Sequence, residues 1–266
     1  LARQINSRIE RELQIKKKYI NALKTAAQKL PVRFQPRVKV RYGNLALDIL
    51  HRSSQELPGG DFYEIINLEG TGRLLLLGDV MGKNWEAWYF SLAYLAYMRS
   101  MVKNLARQHD LDPSHYLFEL NNILYHDLRL SEVFTTLTVV IFTDEDNKVR
   151  ISSAAGLPVY VIRKDSPVTM EYKAKGTLLG LSANSDFEML ELELEEKDRL
   201  FLCTDGYLEA RTEAARPPGS KAIAGAMSDA LRIYDDLDEA DNFLSEKHRL
   251  EFNDDRTWIC FTQQTE

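Results

Sequence analysis

The sequence has few residues of the kinds that form disulfides or bind soft metals. Its 266 residues include only two cysteines, Cys203 and Cys260, and both lie in apolar runs typical of strands. Their spacing matches neither a zinc site nor a disulfide framework, so we expect two buried, reduced thiols and a cytoplasmic location. The five histidines also lack metal-ligand spacing. We expect them at the surface or satisfied by hydrogen bonds within the fold.

Long apolar runs are also missing from the sequence. The most apolar segment, residues 85–101, contains Glu86 and Arg99 and is therefore too polar for a membrane helix. We expect this chain by itself to be soluble. Because it begins at Leu1 rather than at a methionine, we expect it to be part of a longer protein. A membrane anchor upstream of Leu1 is compatible with that expectation.

Positive charge is not in excess. The chain has 34 lysines and arginines against 40 aspartates and glutamates, a formal net charge of -6. Nonspecific binding to nucleic acid depends on a basic face, so we expect no nucleic-acid partner. An acidic surface instead tolerates metal cations.

The first thirty residues have the apolar spacing of a helix. Pro31 and Pro36 end this pattern, which predicts an N-terminal linker helix in residues 1–35 and a larger domain in residues 36–266. Spacing alone does not separate a helix packed on its own domain from a short coiled coil that carries a signal and forms a homodimer. The apolar positions recur every three or four residues, at Ile9, Leu13, Ile20, Leu23, Ala27 and Leu30.

The remaining chain alternates groups of strands with pairs of helices. Hairpin-linked strands interrupted by paired helices indicate an α+β fold with antiparallel sheets covered by helices. Helices are predicted at 85–108, 113–130, 221–234 and 237–247, and the last of them begins at an acidic run suited to helix capping. Strands are predicted at 38–50 with a turn at Gly43-Asn44, and at 62–68, 73–80, 134–143, 149–154, 158–163, 187–194, 199–203 and 256–262.

Three aspartates occupy the ends of predicted strands. Asp79 follows the apolar run 74–77, Asp205 follows 200–203, and Asp254 precedes the final strand. One strand of an antiparallel pair ends beside the start of its neighbour, so these carboxylates can meet at one edge. Oxygen-rich clusters suit Mg²⁺ or Mn²⁺, and paired ions activate water against phosphate esters. A metal-dependent phosphatase is therefore the favoured interpretation.

The chain also resembles a known family, the SpoIIE/RsbU-like branch of the metal-dependent protein phosphatases, which are related to protein phosphatase 2C. The resemblance covers nearly everything from about residue 36 onward. Its motifs occur in the family's order, as Gly59-Gly60-Asp61-Phe62-Tyr63, Gly78-Asp79-Val80-Met81-Gly82-Lys83, Phe134-Thr135-Thr136-Leu137, Ala154-Ala155-Gly156, Leu178-Leu179-Gly180-Leu181, Thr204-Asp205-Gly206 and Asp254-Asp255-Arg256-Thr257.

The resemblance implies a β-sandwich of two antiparallel sheets flanked by helices, with two Mn²⁺ or Mg²⁺ ions at one end. Asp79 would bridge the ions, the Val80 carbonyl would serve one, Asp205 and Asp254 would hold the other, and Asp61 would join through water. Water activated by the ions would be the nucleophile, without a catalytic side chain. The predicted residues behind the ligands or near substrate are Gly60, Glu64, Lys83 and Asp255, although a solvated loop position is the favoured interpretation of Lys83.

The resemblance further implies the partner. The expected substrate is phosphoserine or phosphothreonine on a regulatory protein of the STAS type, an anti-anti-sigma protein. An upstream sensor domain in the full-length protein would connect through a helix such as residues 1–35.

Several positions depart from the family pattern. Glu64 replaces a frequent aspartate, Asn84 replaces a glycine, Trp85 and Trp88 add bulk beside the metal loop, and Leu157 replaces a frequent histidine. A pseudophosphatase that captures its partner without turnover therefore stays an alternative. A diguanylate cyclase is disfavoured, because the Gly-Gly-Asp motif lacks its following acidic residue. A structural protein with solvated acidic turns is the third alternative.

Overall fold

A computed structural model describes residues 10–19, 21–22, 25, 35–54, 59–68, 70, 72–82, 84–106, 110–126, 133–143, 146–211 and 219–264. The chain divides into two compact units, Leu1–Phe34 and Gln35–Glu266. In the first unit, residues 10–19 are helical, as the apolar spacing predicts. In the described ranges, no helix combines the length and the apolar character needed to cross a bilayer.

The second unit is built on two antiparallel sheets. One has the strand order β1-β2-β11-β10-β7-β8 and the other β3-β4-β5-β6-β9. The strands are β1 (Arg37–Tyr42), β2 (Leu45–Arg52), β3 (Asp61–Leu68), β4 (Gly72–Val80), β5 (Thr135–Phe142), β6 (Lys148–Ala154), β7 (Val159–Ile162), β8 (Thr169–Tyr172), β9 (Met189–Glu193), β10 (Arg199–Cys203) and β11 (Arg256–Gln263).

The two sheets share an apolar core. Phe142 of β5 and Phe261 of β11 meet edge to face with their ring centroids 5.3 Å apart. The run Leu74–Leu77 in β4 is buried throughout, because one face of this strand looks toward the other sheet and the opposite face is covered by a helix. A strand buried on both faces loses the alternation of polar and apolar residues, which explains the continuous leucine run.

Helices cover both outer faces of the sandwich. The helices α1 (Asn84–Ala106) and α2 (Pro113–His126) pack against β3, β4, β5 and β6. The helices α3 (Ser220–Ile233) and α4 (Leu237–His248) pack together over the other sheet through a core that includes Met227, Leu244 and Trp258. The predicted α+β sandwich flanked by helices is therefore confirmed.

The structure agrees with one local prediction and adds one strand that the sequence did not predict. The acidic run before α4 does begin a helix, since the Asp236 carboxylate accepts the backbone N–H groups of Asp238 and Glu239. The sequence prediction missed β8, a four-residue strand with no fully buried residue. A short strand at the sheet edge has little apolar signal to detect. The predicted ends of the first two helices, at 107–108 and 127–130, lie outside the described residues.

Candidate metal centre

Three aspartates from both sheets line one cavity of about 300 Å³. Asp79 lies in β4, one residue before its end, and Asp205 follows β10 at the start of a 3₁₀ turn, Asp205–Tyr207. Asp254 lies two residues before β11. The backbone of Val80 belongs to the same cavity wall. The structure therefore brings together the carboxylates that the strand ends predicted to converge.

The carboxyl groups of Asp79 and Asp205 lie close enough to interact directly. Burial raises the pKa of Asp79 to about 7, and the negative charges of Asp205, Asp254 and Asp255 add to the effect. The cavity thus concentrates negative charge that a bound cation would balance.

Asp61 lies behind this pair. It is opposite Asp79 in the β3–β4 ladder and only 2% exposed. Its Oδ2 atom accepts hydrogen bonds from the hydroxyl groups of Thr204 and Thr257, each at 2.7 Å. Burial and then the charge of Asp79 raise the pKa of Asp61 well above its ordinary value. This position is consistent with an outer ligand that acts through water.

Asp255 holds the loop that precedes β3. Its Oδ1 atom accepts the Ser54 backbone N–H at 2.8 Å, and its carboxylate also accepts from the Gly60 backbone. A Cβ atom on Gly59 would lie 1.1 Å from Asp255 Oδ2, so a side chain has no room there. A Cβ atom on Gly60 would lie 2.4 Å from the Val80 carbonyl oxygen and 2.8 Å from Asp79 Oδ1. The glycines therefore let this loop approach the cavity wall.

Glu64 does not line the cavity. Glu64 forms a 2.6 Å hydrogen bond with Arg99 of α1, and it lies on the face of β3 opposite to Asp61 because side chains alternate along a strand. Lys83 and the side chains of residues 84–86 lie outside the described residues. Leu157 lines a separate cavity of about 120 Å³ that also reaches Asp205.

Sequence reasoning missed Glu209 at this site. Glu209 lines the cavity of about 300 Å³ that Asp79, Asp205 and Asp254 share. After burial, the charge of Glu209 is the next cause that raises the pKa of Asp205. The Glu209 backbone N–H donates to the Asp205 carbonyl at 2.9 Å, which closes a helical turn and brings both side chains to one side. An acidic residue four positions after Asp205 was the available signal.

The donor set fits a hard divalent cation. Within the described ranges, no three His, Cys, Asp or Glu side chains are grouped closely enough to hold a metal ion. Nevertheless, the cavity is lined by oxygen donors of the type that Mg²⁺ and Mn²⁺ prefer, among them the carboxylates of Asp79, Asp205, Asp254 and Glu209, and Val80 belongs to the same lining. A cation would interact with the charges of Asp79 and Asp205, and it would offset the repulsion that contributes to their raised pKa values.

The metal-free protein is expected to lose stability as the pH rises from about 6.5 to 8. The pKa of Asp79 is raised from its ordinary 3.8 to about 7 in the folded chain, so between these values the folded chain holds a proton that the unfolded chain has lost. This protonation stabilises the folded chain, and the stabilisation is lost as the pH rises through 7. The pKa values of Asp61, Asp205 and Asp255 are raised as well. Burial lowers the pKa of His51 to about 4, which acts oppositely, and this opposing contribution fades as the pH rises above its ordinary 6.5.

Urea unfolding with a chelator at pH 6.5 and 8 measures this effect, which we expect to be about 1 kcal/mol for Asp79 alone. Mn²⁺ should reverse the trend, because carboxylates bind cations in their ionised form. Stability that increases between these pH values without metal would contradict the described charge cluster.

Comparison with known proteins finds a family profile and a curated relative that match most of the chain. The family profile described as Stage II sporulation protein E (SpoIIE) matches residues 69–264. "Phosphoserine phosphatase RsbU" of Bacillus subtilis is 26% identical over 195 residues, which are 69% of this chain and 55% of RsbU. The chain thus spans about half the length of this curated relative.

Two solved structures share the fold. The SiaA-PP2C domain of Pseudomonas aeruginosa superposes with a TM-score of 0.68 at 22% identity, over 81% of this chain and 85% of that one. The PP2C phosphatase domain of SpoIIE from Bacillus subtilis, with a fragment of its regulatory domain, gives a TM-score of 0.66 at 18% identity. That match covers 85% of this chain and 64% of the other.

Proposed function

Because the chain belongs to the SpoIIE family, we propose that it hydrolyses phosphoserine or phosphothreonine on a regulatory partner protein. The observation that carries this proposal is the convergence of Asp79, Asp205 and Asp254 on one cavity between the ends of the two sheets. The relative RsbU is named a phosphoserine phosphatase, and this name supports a phosphoserine ester as the substrate.

The cofactor we propose is a pair of divalent cations, Mn²⁺ or Mg²⁺. Asp79, the Val80 carbonyl, Asp205 and Asp254 would hold them, with Asp61 behind. Such ions, when bound, neutralise phosphoryl oxygens and lower the pKa of water. The protein's own part is to hold carboxylates from two sheets around one cavity, where burial strengthens their interaction with positive charge.

A cysteine nucleophile does not fit this site. Cys203 is buried beside the small cavity, and burial followed by the charges of Asp61 and Asp205 raises its pKa to about 12. Burial likewise raises the pKa of Cys260 to about 12. A thiol of this kind is protonated at neutral pH and is not activated for attack. Hydrolysis by water without a covalent phosphoenzyme is therefore the mechanism we propose.

For the partner we propose a STAS-type anti-anti-sigma protein, in keeping with the family. The N-terminal helix would connect the phosphatase domain of residues 36–266 to an upstream sensor and would pair with a second copy of the chain. A second candidate function is capture of the partner without turnover. The mutual repulsion of the Asp79 and Asp205 carboxylates favours that alternative only if no cation binds beside them.

Phosphate release from a phosphoserine STAS protein, with and without Mn²⁺, tests the proposal. We expect Mn²⁺-dependent release by the unmodified chain and loss of release in Asp205→Asn, because this variant removes one carboxylate from the cavity. Asp229→Asn is the matched control, since Asp229 lies on the exposed face of α3. Partner binding without any release in the presence of Mn²⁺ would contradict hydrolysis and support capture.

A further inference from the structure

We infer that His51 is a positioning residue for Asp61: through Thr257 it fixes the direction of the hydrogen bonds that hold this carboxylate at the cation site. This inference rests on the proposed function, since it assigns His51 a role in cation binding. Neither its spacing nor any motif in the sequence marks His51, which lies in β2 and is 6% exposed.

The contacts form a continuous chain from β2 to β3. His51 is opposite Thr257 in the β2–β11 ladder, and its Nδ1 atom lies 2.9 Å from Thr257 Oγ1. The same hydroxyl oxygen lies 2.7 Å from Asp61 Oδ2. A second hydroxyl, that of Thr204, lies 2.7 Å from the same carboxylate oxygen. Asp61 Oδ2 therefore has two hydroxyl neighbours.

Each hydroxyl group has only one proton, so the donors behind it determine where that proton points. The Thr257 backbone N–H donates to Thr204 Oγ1 at 2.9 Å, which leaves the Thr204 proton free for Asp61. For Thr257 to donate to Asp61 as well, its oxygen must accept from His51 Nδ1. His51 must then carry its proton on Nδ1.

The charge state of His51 is consistent with this arrangement. Burial lowers the pKa of His51 to about 4, so the ring is neutral at pH 7 and has a single N–H group. A proton on Nε2 instead would turn the Thr257 hydroxyl toward His51 and remove one donor from Asp61. A carboxylate that accepts two hydroxyl protons at one oxygen keeps its other oxygen available to water or a cation.

Residues that orient metal ligands from behind commonly change metal affinity by about 10–100-fold when they are replaced. We therefore expect His51→Phe to weaken Mn²⁺ binding by about tenfold or more in isothermal titration calorimetry. His51→Asn should retain most of the affinity, because the asparagine Nδ2 atom is separated from Cα by the same number of bonds as histidine Nδ1. His115→Phe is the control, since this exposed histidine contacts Asp110.

Nitrogen-15 NMR of the unmodified, metal-free protein gives a second, independent readout. We expect His51 to be neutral with its proton on Nδ1. A proton on Nε2 would overturn the inference, and so would unchanged Mn²⁺ affinity in His51→Phe. If the unmodified chain binds no Mn²⁺, the proposed function fails, while the NMR result still decides the hydrogen-bond direction. The same NMR result decides the inference if His51→Phe does not fold.

Discussion

Asp79→Asn is expected to lower phosphate release by on the order of 10³-fold or more and, at the same time, to stabilise the metal-free protein. Asp79 interacts with the charges of Asp205, Asp254 and Asp255, so it is the carboxylate on which the proposed cation site centres. Bound cations supply several kcal/mol of transition-state stabilisation, and each 1.36 kcal/mol corresponds to a factor of ten in rate.

Asp79→Asn is expected to stabilise the metal-free protein although it lowers activity, because the charge of Asp79 opposes folding when no metal is bound. Asparagine keeps the shape, removes the repulsion, and can donate a hydrogen bond to Asp205. We expect a gain of about 1–2 kcal/mol at pH 8, reduced from the full pKa effect because Asp79 is partly solvated. Phosphate release with Mn²⁺ and thermal unfolding with a chelator measure the two effects.

The two outcomes together distinguish a functional carboxylate from a structural one. Asp229→Asn should change neither measurement, since Asp229 lies on an exposed helix face. An Asp79→Asn protein that is inactive but less stable without metal would contradict the described repulsion. A fully active Asp79→Asn protein would contradict the proposed cation site.

Gly206→Ala is expected to destabilise the domain by about 3 kcal/mol and to abolish most phosphate release. A Cβ atom on Gly206 would lie 1.8 Å from the backbone oxygen of Asp255. This contact involves backbone on both sides, so it can be relieved only by separating the loop after β10 from the loop before β11. That separation would also part Asp205 from Asp254. Overpacking of this kind costs about 1–3 kcal/mol, and sometimes more.

Gly225→Ala is the matched control for this substitution. Gly225 lies within α3, and a Cβ atom there would have no neighbour within 4 Å. Alanine should therefore stabilise the helix by about 0.5–1 kcal/mol and leave activity unchanged. Urea unfolding and phosphate release measure both variants. Equal stabilities of Gly206→Ala and the unmodified chain would show that these two loops are not tightly packed.

Part of the convergence of the aspartates could be predicted because each stands at a strand end. The run of leucines before Asp79 and the apolar run before Asp205 mark buried strands, and Asp254 precedes a third. Asp205 and Asp254 meet because β10 and β11 are neighbouring antiparallel strands. Asp79 belongs to the other sheet, so its approach depends on how the two sheets stack, which strand ends alone do not specify.

Other parts of the site depend on information that the sequence pattern does not hold. The contact of His51 with Thr257 joins residues 206 positions apart, and it depends on the pairing of β2 with β11. That pairing is a property of sheet topology, which local patterns do not specify. Glu64 is a different case, because its odd spacing from Asp61 along β3 already places the two side chains on opposite faces.

Anomalous diffraction from crystals grown with Mn²⁺ tests the central claim most directly. The proposal predicts two manganese peaks in the cavity lined by Asp79, Val80, Asp205 and Asp254, with Asp61 behind them. Manganese bound only elsewhere on the chain would contradict it.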